Sequence, residues 1–450
     1  MTPPSPTLTT AFTLTGAVAL LVAACTPPPP PLAPLDTSDI IVQNAPTHGQ
    51  AFGIDVFIDA TPSMEGYVLG ADSAYSEFLE DLEGSLVSAV RNVSDIRYFK
   101  FGETVREISR QQFRDARDSD FYHEPGVFRD TNLQLVLARR TLAPASSAAP
   151  GVSTAGAPAA PLAPRLTVVV TDLFQKDQDV NIVVSQVKDG CLSRPDCSVA
   201  VLPIASAFNG TVFDARVPSY PYRSTSDPAT HRPFYLLMFG PEEQLMQFGD
   251  VLSVNRYIDL ARLLVIGPRI VKSFSVAVTR DPAAQGVTPR KGTGEKLDSA
   301  FNLRRGFAEG RVACRVEVTG DTRTFGYEPS RLELRAWRRD GARDTPATEE
   351  VLLDSIAQST TGAMDLRLTL RPPATKGDYI YVAELVLGGV NGFVVPRWVS
   401  ELSSSNPSPE HDPAKTLNLD NLVERLIAAS LLQDHHLPTI ARFRILVHKL

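Results

Sequence analysis

The sequence predicts an α/β domain followed by a β-rich domain. Between residues 51 and 270, short apolar runs alternate with segments whose apolar residues recur at helical spacing. That order is typical of a mainly parallel sheet covered by helices on both faces. After residue 271 the apolar residues follow a period of two, with turn signals between the runs. This change indicates a β-sandwich of immunoglobulin-like type over residues 271–405.

The α/β region contains six apolar runs that we predict to be buried strands. They cover residues 54–58, 96–101, 166–170, 199–204, 234–239 and 263–266. Such runs are apolar on both faces, as the strands of a parallel sheet are. The predicted helices between them cover residues 75–93, 131–142 and 180–187.

Residues 143–164 interrupt the α/β pattern. They consist almost entirely of Ala, Pro, Ser and Gly. Because these residues supply too little apolar bulk to order the segment, we expect a disordered surface loop inserted into the domain.

The β-rich region and the C-terminal residues complete the predicted organisation. The period-two runs cover residues 273–278, 312–318, 332–337, 364–370 and 379–387. Within residues 406–450 we predict an amphipathic helix and then a strand at 442–448. The apolar face of the helix is formed by Leu419, Leu422, Val423, Leu426 and Ile427. Core packing is the favoured interpretation of this face, and binding of a partner is the alternative.

The N-terminal residues predict export and a lipid anchor. An apolar stretch over residues 11–24 is too short for a comfortable membrane span and has the length of a signal-peptide core. Its end, Val22-Ala23-Ala24-Cys25, resembles the lipobox of a bacterial lipoprotein signal peptide over residues 1–25. The resemblance implies acylation of Cys25 and, because Thr26 is not Asp, an outer-membrane location in a cell that has one. An ordinary cleaved signal is the alternative.

Residues 26–50 follow this signal and include five consecutive prolines. We predict a semi-rigid linker that holds the folded domains away from the membrane surface.

The net charge argues against one class of function, and the cysteines predict one disulfide. The 450-residue chain has a formal net charge of −7, which argues against a nucleic-acid binder. Export permits disulfides, and Cys191 and Cys197 flank a short polar turn. We expect them to form a small loop disulfide, with two free thiols as the alternative. Cys314 lies in a strand-like apolar run, where we expect it to be buried and inert.

Oxygen-bearing side chains follow the ends of predicted strands. Asp59, Thr61 and Ser63 come directly after the first strand, and Asp172 follows a later one. Thr131 stands at the start of a predicted helix. Because open α/β sheets bind ligands at the carboxyl ends of their strands, we expect these side chains to meet at one edge.

This order of motifs is similar to the metal-ion-dependent adhesion site (MIDAS) of von Willebrand factor A (vWA) domains. The resemblance covers residues 51–270 and implies a Rossmann-like fold, a central parallel sheet between helices. It further implies a divalent cation, usually Mg²⁺ (or Mn²⁺ or Ca²⁺), with an open position for a carboxylate of a partner protein. The residues that match the family's metal ligands are Asp59, Thr61, Ser63, Thr131 and Asp172.

The chemistry of these residues supports a hard cation independently. Mg²⁺ prefers oxygen ligands at about 2.1 Å and keeps several waters, so two carboxylates and three hydroxyls suit it. Two carboxylates that converge in a dry place raise each other's pKa unless a positive charge lies between them. Neutral hydroxyls leave the ion with net positive charge, which attracts an anionic group of a partner.

Other interpretations of the same residues remain open at this stage. Thr131 also suits a helix N-cap, and Asp130 could compete as a ligand. A structural envelope component without a metal is the second hypothesis. A phosphohydrolase of haloacid-dehalogenase type, with Asp59 as nucleophile and Lys176 binding phosphate, is the third. That chemistry needs a general acid two residues after the nucleophile, where this chain has Thr61.

We therefore expect a binding or scaffold protein rather than an enzyme. The sequence contains no Gly-x-Ser-x-Gly, His-Glu-x-x-His or P-loop motif. His435 and His436 are adjacent in a polar stretch, and we expect them to face solvent rather than bind a metal. The leading hypothesis is a lipid-anchored extracytoplasmic protein of the cell envelope that recognises a partner protein through a Mg²⁺ site.

Overall fold

A computed structural model describes the fold of most of the chain. The described residues are 52–71, 73–88, 93–124, 128, 130–142, 165–173, 177–194, 197–213, 219–267, 271, 273–290, 299–319, 326–341, 343–359, 362–389, 392–405, 412–431 and 438–450. All of them belong to one compact unit. The predicted signal peptide, the linker and the 143–164 loop lie outside the described residues.

Nine strands lie in the α/β region. Their bounds are β1 Phe52–Asp59, β2 Val93–Phe101, β3 Val105–Ile108, β4 Arg165–Thr171, β5 Ser198–Ser206, β6 Asn209–Val212, β7 Tyr220–Arg223, β8 Arg232–Gly240 and β9 Leu264–Ile266. Seven of them form one sheet in the order β3-β2-β1-β4-β8-β5-β9. β6 and β7 form a separate hairpin.

This sheet is mixed, which corrects the expectation of a mainly parallel one. β1 runs parallel to β2 and to β4. β3 is antiparallel to β2, and β8 is antiparallel to both β4 and β5. β9 is antiparallel to β5. The carboxyl ends of β1, β2, β4 and β5 therefore still meet at one edge, together with the start of β8.

Helices cover both faces of this sheet. Their bounds are α1 Pro62–Val68, α2 Ala74–Ser88, α3 Arg110–Arg114, α4 Leu133–Leu142, α5 Asp177–Val187 and α6 Glu242–Leu252. Apolar residues of α1, α2, α3 and α6 share a hydrophobic core with one face of the sheet. Those of α4 and α5 pack against the other face. Mixed α/β architecture with helices on both faces is thus confirmed for this region.

Short helical turns link several of these elements. They are 3₁₀ turns at Asp115–Arg117, Ser119–Tyr122, Pro228–Thr230, Leu260–Arg262 and Pro329–Arg331, and a π-helical turn at Lys188–Leu192. The last of these lies beside the Cys191–Cys197 disulfide, whose Cα atoms are 5.1 Å apart. Cys314 is buried, as expected.

The C-terminal half of the chain is rich in strands. Their bounds are β10 Ser273–Arg280, β11 Val287–Pro289, β12 Ser299–Leu303, β13 Gly310–Thr319, β14 Gly326–Tyr327, β15 Leu332–Asp340, β16 Arg343–Pro346, β17 Val351–Gln358, β18 Met364–Leu370, β19 Gly377–Leu387, β20 Phe393–Val394, β21 Ser403–Ser404, β22 Thr416–Leu417 and β23 Thr439–Lys449. The two main sheets have the orders β10-β13-β18-β17 and β11-β12-β23-β19-β15-β16. Apolar side chains of both sheets belong to one hydrophobic core.

The C-terminal residues do not form a separate segment. Two helices, α7 Arg397–Leu402 and α8 Leu419–Leu431, precede β23. β23 pairs with β12 and β19 and so lies inside the six-stranded sheet. The apolar residues of α8 are buried in the same core as α4 and α5, which confirms core packing for this helix.

Two further findings concern membrane-crossing helices and the predicted lipid attachment. None of the helices in the described ranges has the length and apolar character that crossing a membrane requires. Cys25, the residue predicted to carry the lipid, lies outside those ranges.

Candidate metal centre

The candidate site forms where β1 ends and α1 begins. Asp59 is the last residue of β1 and is fully buried. Pro62 starts α1, where its fixed φ suits the first helical position and its missing N–H costs nothing. Thr61 is the extended N-cap residue, but its side chain makes no capping hydrogen bond. Its hydroxyl is directed at Asp59 instead.

Hydroxyl groups converge on the Asp59 carboxylate. The Thr61 hydroxyl donates to Asp59 Oδ1 at 2.7 Å, and the Thr61 backbone N–H donates to the same atom at 3.1 Å. The Thr131 hydroxyl donates to Asp59 Oδ2 at 2.9 Å. Thr61 Oγ1 also lies 3.0 Å from Ser63 Oγ and 3.3 Å from Thr131 Oγ1. Four of the five predicted residues therefore meet at one place.

Thr171 joins the site although it was not among the predicted ligands. It is the last residue of β4, and its hydroxyl donates to Asp59 Oδ2 at 2.7 Å. It also accepts a hydrogen bond from the Leu173 backbone N–H at 3.2 Å. The sequence feature that could have predicted Thr171 is its position at the end of the apolar run of β4, directly before Asp172.

Asp172, the fifth predicted residue, comes directly after β4. It is 2% exposed and lies one residue beyond Thr171, whose hydroxyl contacts Asp59. Leu173 then adopts the left-handed conformation, with φ of 55°, which an L-residue with a bulky side chain rarely adopts. The backbone thus turns sharply at this carboxylate, where a glycine would be unstrained.

The charge of Asp172 acts on the Asp59 carboxylate. Burial, followed by the charge of Asp172, raises the pKa of Asp59 to about 7. The hydrogen bonds from Thr171 and Thr61 act in the opposite direction because they stabilise the ionised form. A cation beside Asp59 would favour the ionised form as well.

Buried tyrosines surround the carboxylates. Burial raises the pKa values of Tyr67, Tyr75, Tyr122 and Tyr235, so their hydroxyls stay protonated at neutral pH. The hydroxyls of Tyr75 and Tyr122 lie 2.9 Å apart, and Tyr67 donates to the Pro233 carbonyl at 2.6 Å. Because these side chains are buried, they leave little water near the carboxylates, which strengthens electrostatic interactions there.

The donor set suits a hard cation. In the part of the chain that the structure describes, no group of three or more His, Cys, Asp or Glu side chains is placed to hold a metal. The candidate centre instead offers two carboxylates and several hydroxyls, which fits Mg²⁺ with retained waters. In the residue that follows Thr131, the buried Oδ1 atom of Asn132 has no hydrogen-bond partner among the described residues. Such an acceptor fits a water bound to the ion.

The remaining candidates are not part of this group or lie outside the described residues. Asp130 is exposed to solvent. Lys176, His435 and His436 lie outside the described ranges.

No protein-family model matches the chain, and no curated protein matches it. The function is therefore argued from the residues of the site.

Proposed function

We propose that this protein binds a divalent cation, Mg²⁺ in the first place, and through it a carboxylate of a partner protein. Asp59, Thr61, Ser63, Thr131 and Asp172 would hold the ion. The observation that carries the proposal is a buried carboxylate, Asp59, that accepts three hydroxyl hydrogen bonds at 2.7–2.9 Å beside a second buried carboxylate.

The proposal includes a fold and a location. A vWA-like fold of the α/β region agrees with the order of the three motifs and with their meeting at one sheet edge. An immunoglobulin-like sandwich is our proposal for the two sheets of the β-rich region. The lipobox-like Cys25 supports a lipid-anchored, extracytoplasmic location, in the outer membrane where a cell has one.

The residues of the site have distinct tasks in this mechanism. The bound ion supplies a positive charge that attracts an anionic ligand. Asp59 is oriented by Thr61, Thr131 and Thr171, each of which donates a hydrogen bond from its hydroxyl to one of the carboxylate oxygens. The buried tyrosines keep the surroundings dry, so a carboxylate of the partner meets a charge that water screens little.

Mg²⁺ should stabilise the folded protein, because a ligand that binds only the folded state must do so. We expect the melting temperature to rise with Mg²⁺ concentration and to saturate, and EDTA to reverse the rise. Differential scanning fluorimetry measures both. Thr61→Val removes a ligand hydroxyl while keeping the side-chain shape, and it should abolish most of the rise.

Thr167→Val is the matched control, since Thr167 is a buried threonine of β4 away from the site. It should leave the Mg²⁺ response unchanged. Capture of envelope proteins by the purified chain, with Mg²⁺ or with EDTA, then tests the partner. The absence of any thermal response to Mg²⁺ would refute the metal site and leave a structural role for the protein.

A further inference from the structure

A second segment contacts the start of β8, close to the candidate centre. We call residues 412–417, directly before α8, the bridging segment. The buried Arg232 guanidinium donates from Nη1 to the Pro413 carbonyl at 2.7 Å and to the Lys415 carbonyl at 3.3 Å. The Tyr235 hydroxyl donates to Thr416 Oγ1 at 2.9 Å. Two residues of β8 thus hold this segment.

These contacts lie on the strand next to β4, after which Asp172 comes, and two strands from β1, which ends at Asp59. In the register of β4 and β8, Tyr235 stands directly opposite Thr171. Directly opposed residues of antiparallel strands project their side chains to the same face, with Cβ atoms about 4.5–5.5 Å apart. Thr171 is the residue whose hydroxyl donates to Asp59. A short path of adjacent residues therefore connects Thr416 with Asp59.

The contacts of the bridging segment are buried. Arg232 is 3% exposed, Thr416 1% and Tyr235 0%. The Arg232 guanidinium also lies 5.8 Å from the centre of the Phe208 ring. Leaving a buried polar group without its hydrogen-bond partner destabilises the folded state, so these bonds fix the position of the segment.

The bridging segment leads directly into α8. Its residue Thr416 pairs with Ser403 in the short ladder of β21 and β22. The Ser403 hydroxyl donates to Asp420 and accepts from the Asp420 backbone N–H at 3.0 Å. The Asn418 N–H donates to the Ser404 carbonyl at 2.8 Å. Any movement of the bridging segment must therefore disturb the start of α8.

We propose that the bridging segment couples ion binding at the candidate centre to the attachment of α8. This inference rests on the proposed function. Tyr235 and Arg232 are positioning residues: they join the bridging segment to β8, which pairs with β4 as far as Thr171, the residue before Asp172. Ordering of this strand end favours ion binding. By reciprocity the bound ion must stabilise the bridging segment and the first turn of α8 to the same extent.

Two conservative substitutions test the coupling. Tyr235→Phe and Thr416→Val each remove the hydrogen bond between β8 and the bridging segment while keeping the side-chain shape. We expect each to weaken Mg²⁺ affinity about threefold to tenfold, the range that one hydrogen bond permits. Titration calorimetry measures the affinity. Tyr381→Phe is the matched control, because this tyrosine is also fully buried and its hydroxyl donates to Glu350 within the β-rich region, away from the bridging segment.

Hydrogen exchange supplies a second readout that does not depend on partner binding. In the wild-type protein, Mg²⁺ should slow the exchange of the Asn418 and Leu422 amides, which bond at the start of α8. The slowing should be smaller in Tyr235→Phe and Thr416→Val and unchanged in Tyr381→Phe.

The outcomes separate the coupling from the proposed function. If the wild-type protein binds Mg²⁺ but both variants bind it equally well, the coupling is overturned and the metal site stands. If Mg²⁺ binds but leaves exchange in α8 unchanged, the coupling is likewise overturned. If the wild-type protein does not bind Mg²⁺, the proposed function and the coupling fail together.

Discussion

Asp59 determines the electrostatic character of the candidate centre. Its carboxylate is fully buried, next to a second carboxylate that is 2% exposed. Four hydrogen bonds from described residues reach it, yet its pKa is raised from 3.8 to about 7. Burial and charge repulsion therefore outweigh the hydrogen bonds. Above neutral pH the ionised Asp59 carboxylate lowers the stability of the ion-free folded protein.

The raised pKa of Asp59 predicts how stability varies with pH in EDTA. Between about pH 4 and pH 7 the folded state holds a proton that the unfolded state has released, so the free energy of unfolding falls as pH rises. Each unit of pKa elevation corresponds to about 1.4 kcal/mol. Urea denaturation of the wild-type protein and of Asp59→Asn, at pH 5, 6, 7 and 8, measures the effect.

Asp59→Asn serves as the reference because the other titrating groups are common to both proteins. The stability difference, wild type minus variant, should fall from pH 5 to pH 7 and level off above it. In Mg²⁺ the fall should be smaller, since a bound cation favours the ionised carboxylate. Parallel pH profiles in EDTA would contradict a raised pKa at Asp59.

Sequence spacing identified the site residues that are close in the chain or follow strand ends. Asp59, Thr61 and Ser63 are two residues apart. Thr131, at a helix start, was expected from the order of the motifs rather than from spacing, and its hydroxyl donates to Asp59. The roles of Tyr235 and Arg232 could not be predicted in this way. Their neighbours in space depend on β8 pairing with β4, and no local pattern encodes the partner of a strand.

At the scale of elements, α1 is fixed by a close approach to the chain after β5. A Cβ atom on Gly66 would lie 2.3 Å from the Phe208 ring, and one on Gly210 would lie 2.6 Å from Gly66 Cα. Phe208 in turn packs edge-on against Tyr67, with ring centres 4.9 Å apart. Glycine at these positions lets α1, which carries Ser63, pack directly on its neighbours.

Gly66→Ala should therefore destabilise the protein. The added methyl group forces α1 or the Phe208 ring to move, and overpacking of this kind costs about 1–3 kcal/mol. Gly84→Ala is the matched control, because Gly84 is an exposed helical glycine with no atom within 4 Å of an added Cβ. It should raise the free energy of unfolding by roughly 0.5–1 kcal/mol through helix propensity alone.

Chemical denaturation of the two glycine variants measures both changes. Equal stabilisation by Gly66→Ala and Gly84→Ala would show that the space around α1 adapts without cost, contrary to the packing described.

The type of most elements was predictable, but the direction of β8 was not. Its nine residues are all buried, and an apolar run on both faces indicates a central strand without indicating its orientation. The β6–β7 hairpin lies between β5 and β8 in the chain and returns it to the same edge of the sheet. β8 therefore enters antiparallel between β4 and β5, which makes the sheet mixed.

At the scale of the whole molecule, the chain passes three times between its two regions. After the strands of the β-rich region, α8 returns to pack with α4 and α5, and β23 then enters the six-stranded sheet. The change of apolar period at residue 271 predicted the start of the β-rich region, but no sequence pattern predicted that α8 packs against α4 and α5. A helix that is apolar on one face shows that it packs against something, without identifying what.

Because one hydrophobic core includes α8 and both regions, the described part of the chain should unfold as a single cooperative unit. The two tryptophans of the chain, Trp337 and Trp398, lie in the C-terminal half, whereas far-UV circular dichroism reports on all elements. The two signals should give the same midpoint.

Leu426→Ala truncates a buried side chain of α8, so it should lower the free energy of unfolding by about 2–5 kcal/mol and shift both midpoints together. Val254→Ala, at an 82% exposed position, is the control and should change stability by less than about 0.5 kcal/mol. A tryptophan transition at its own midpoint, unaffected by Leu426→Ala, would show that the β-rich region unfolds independently of α8.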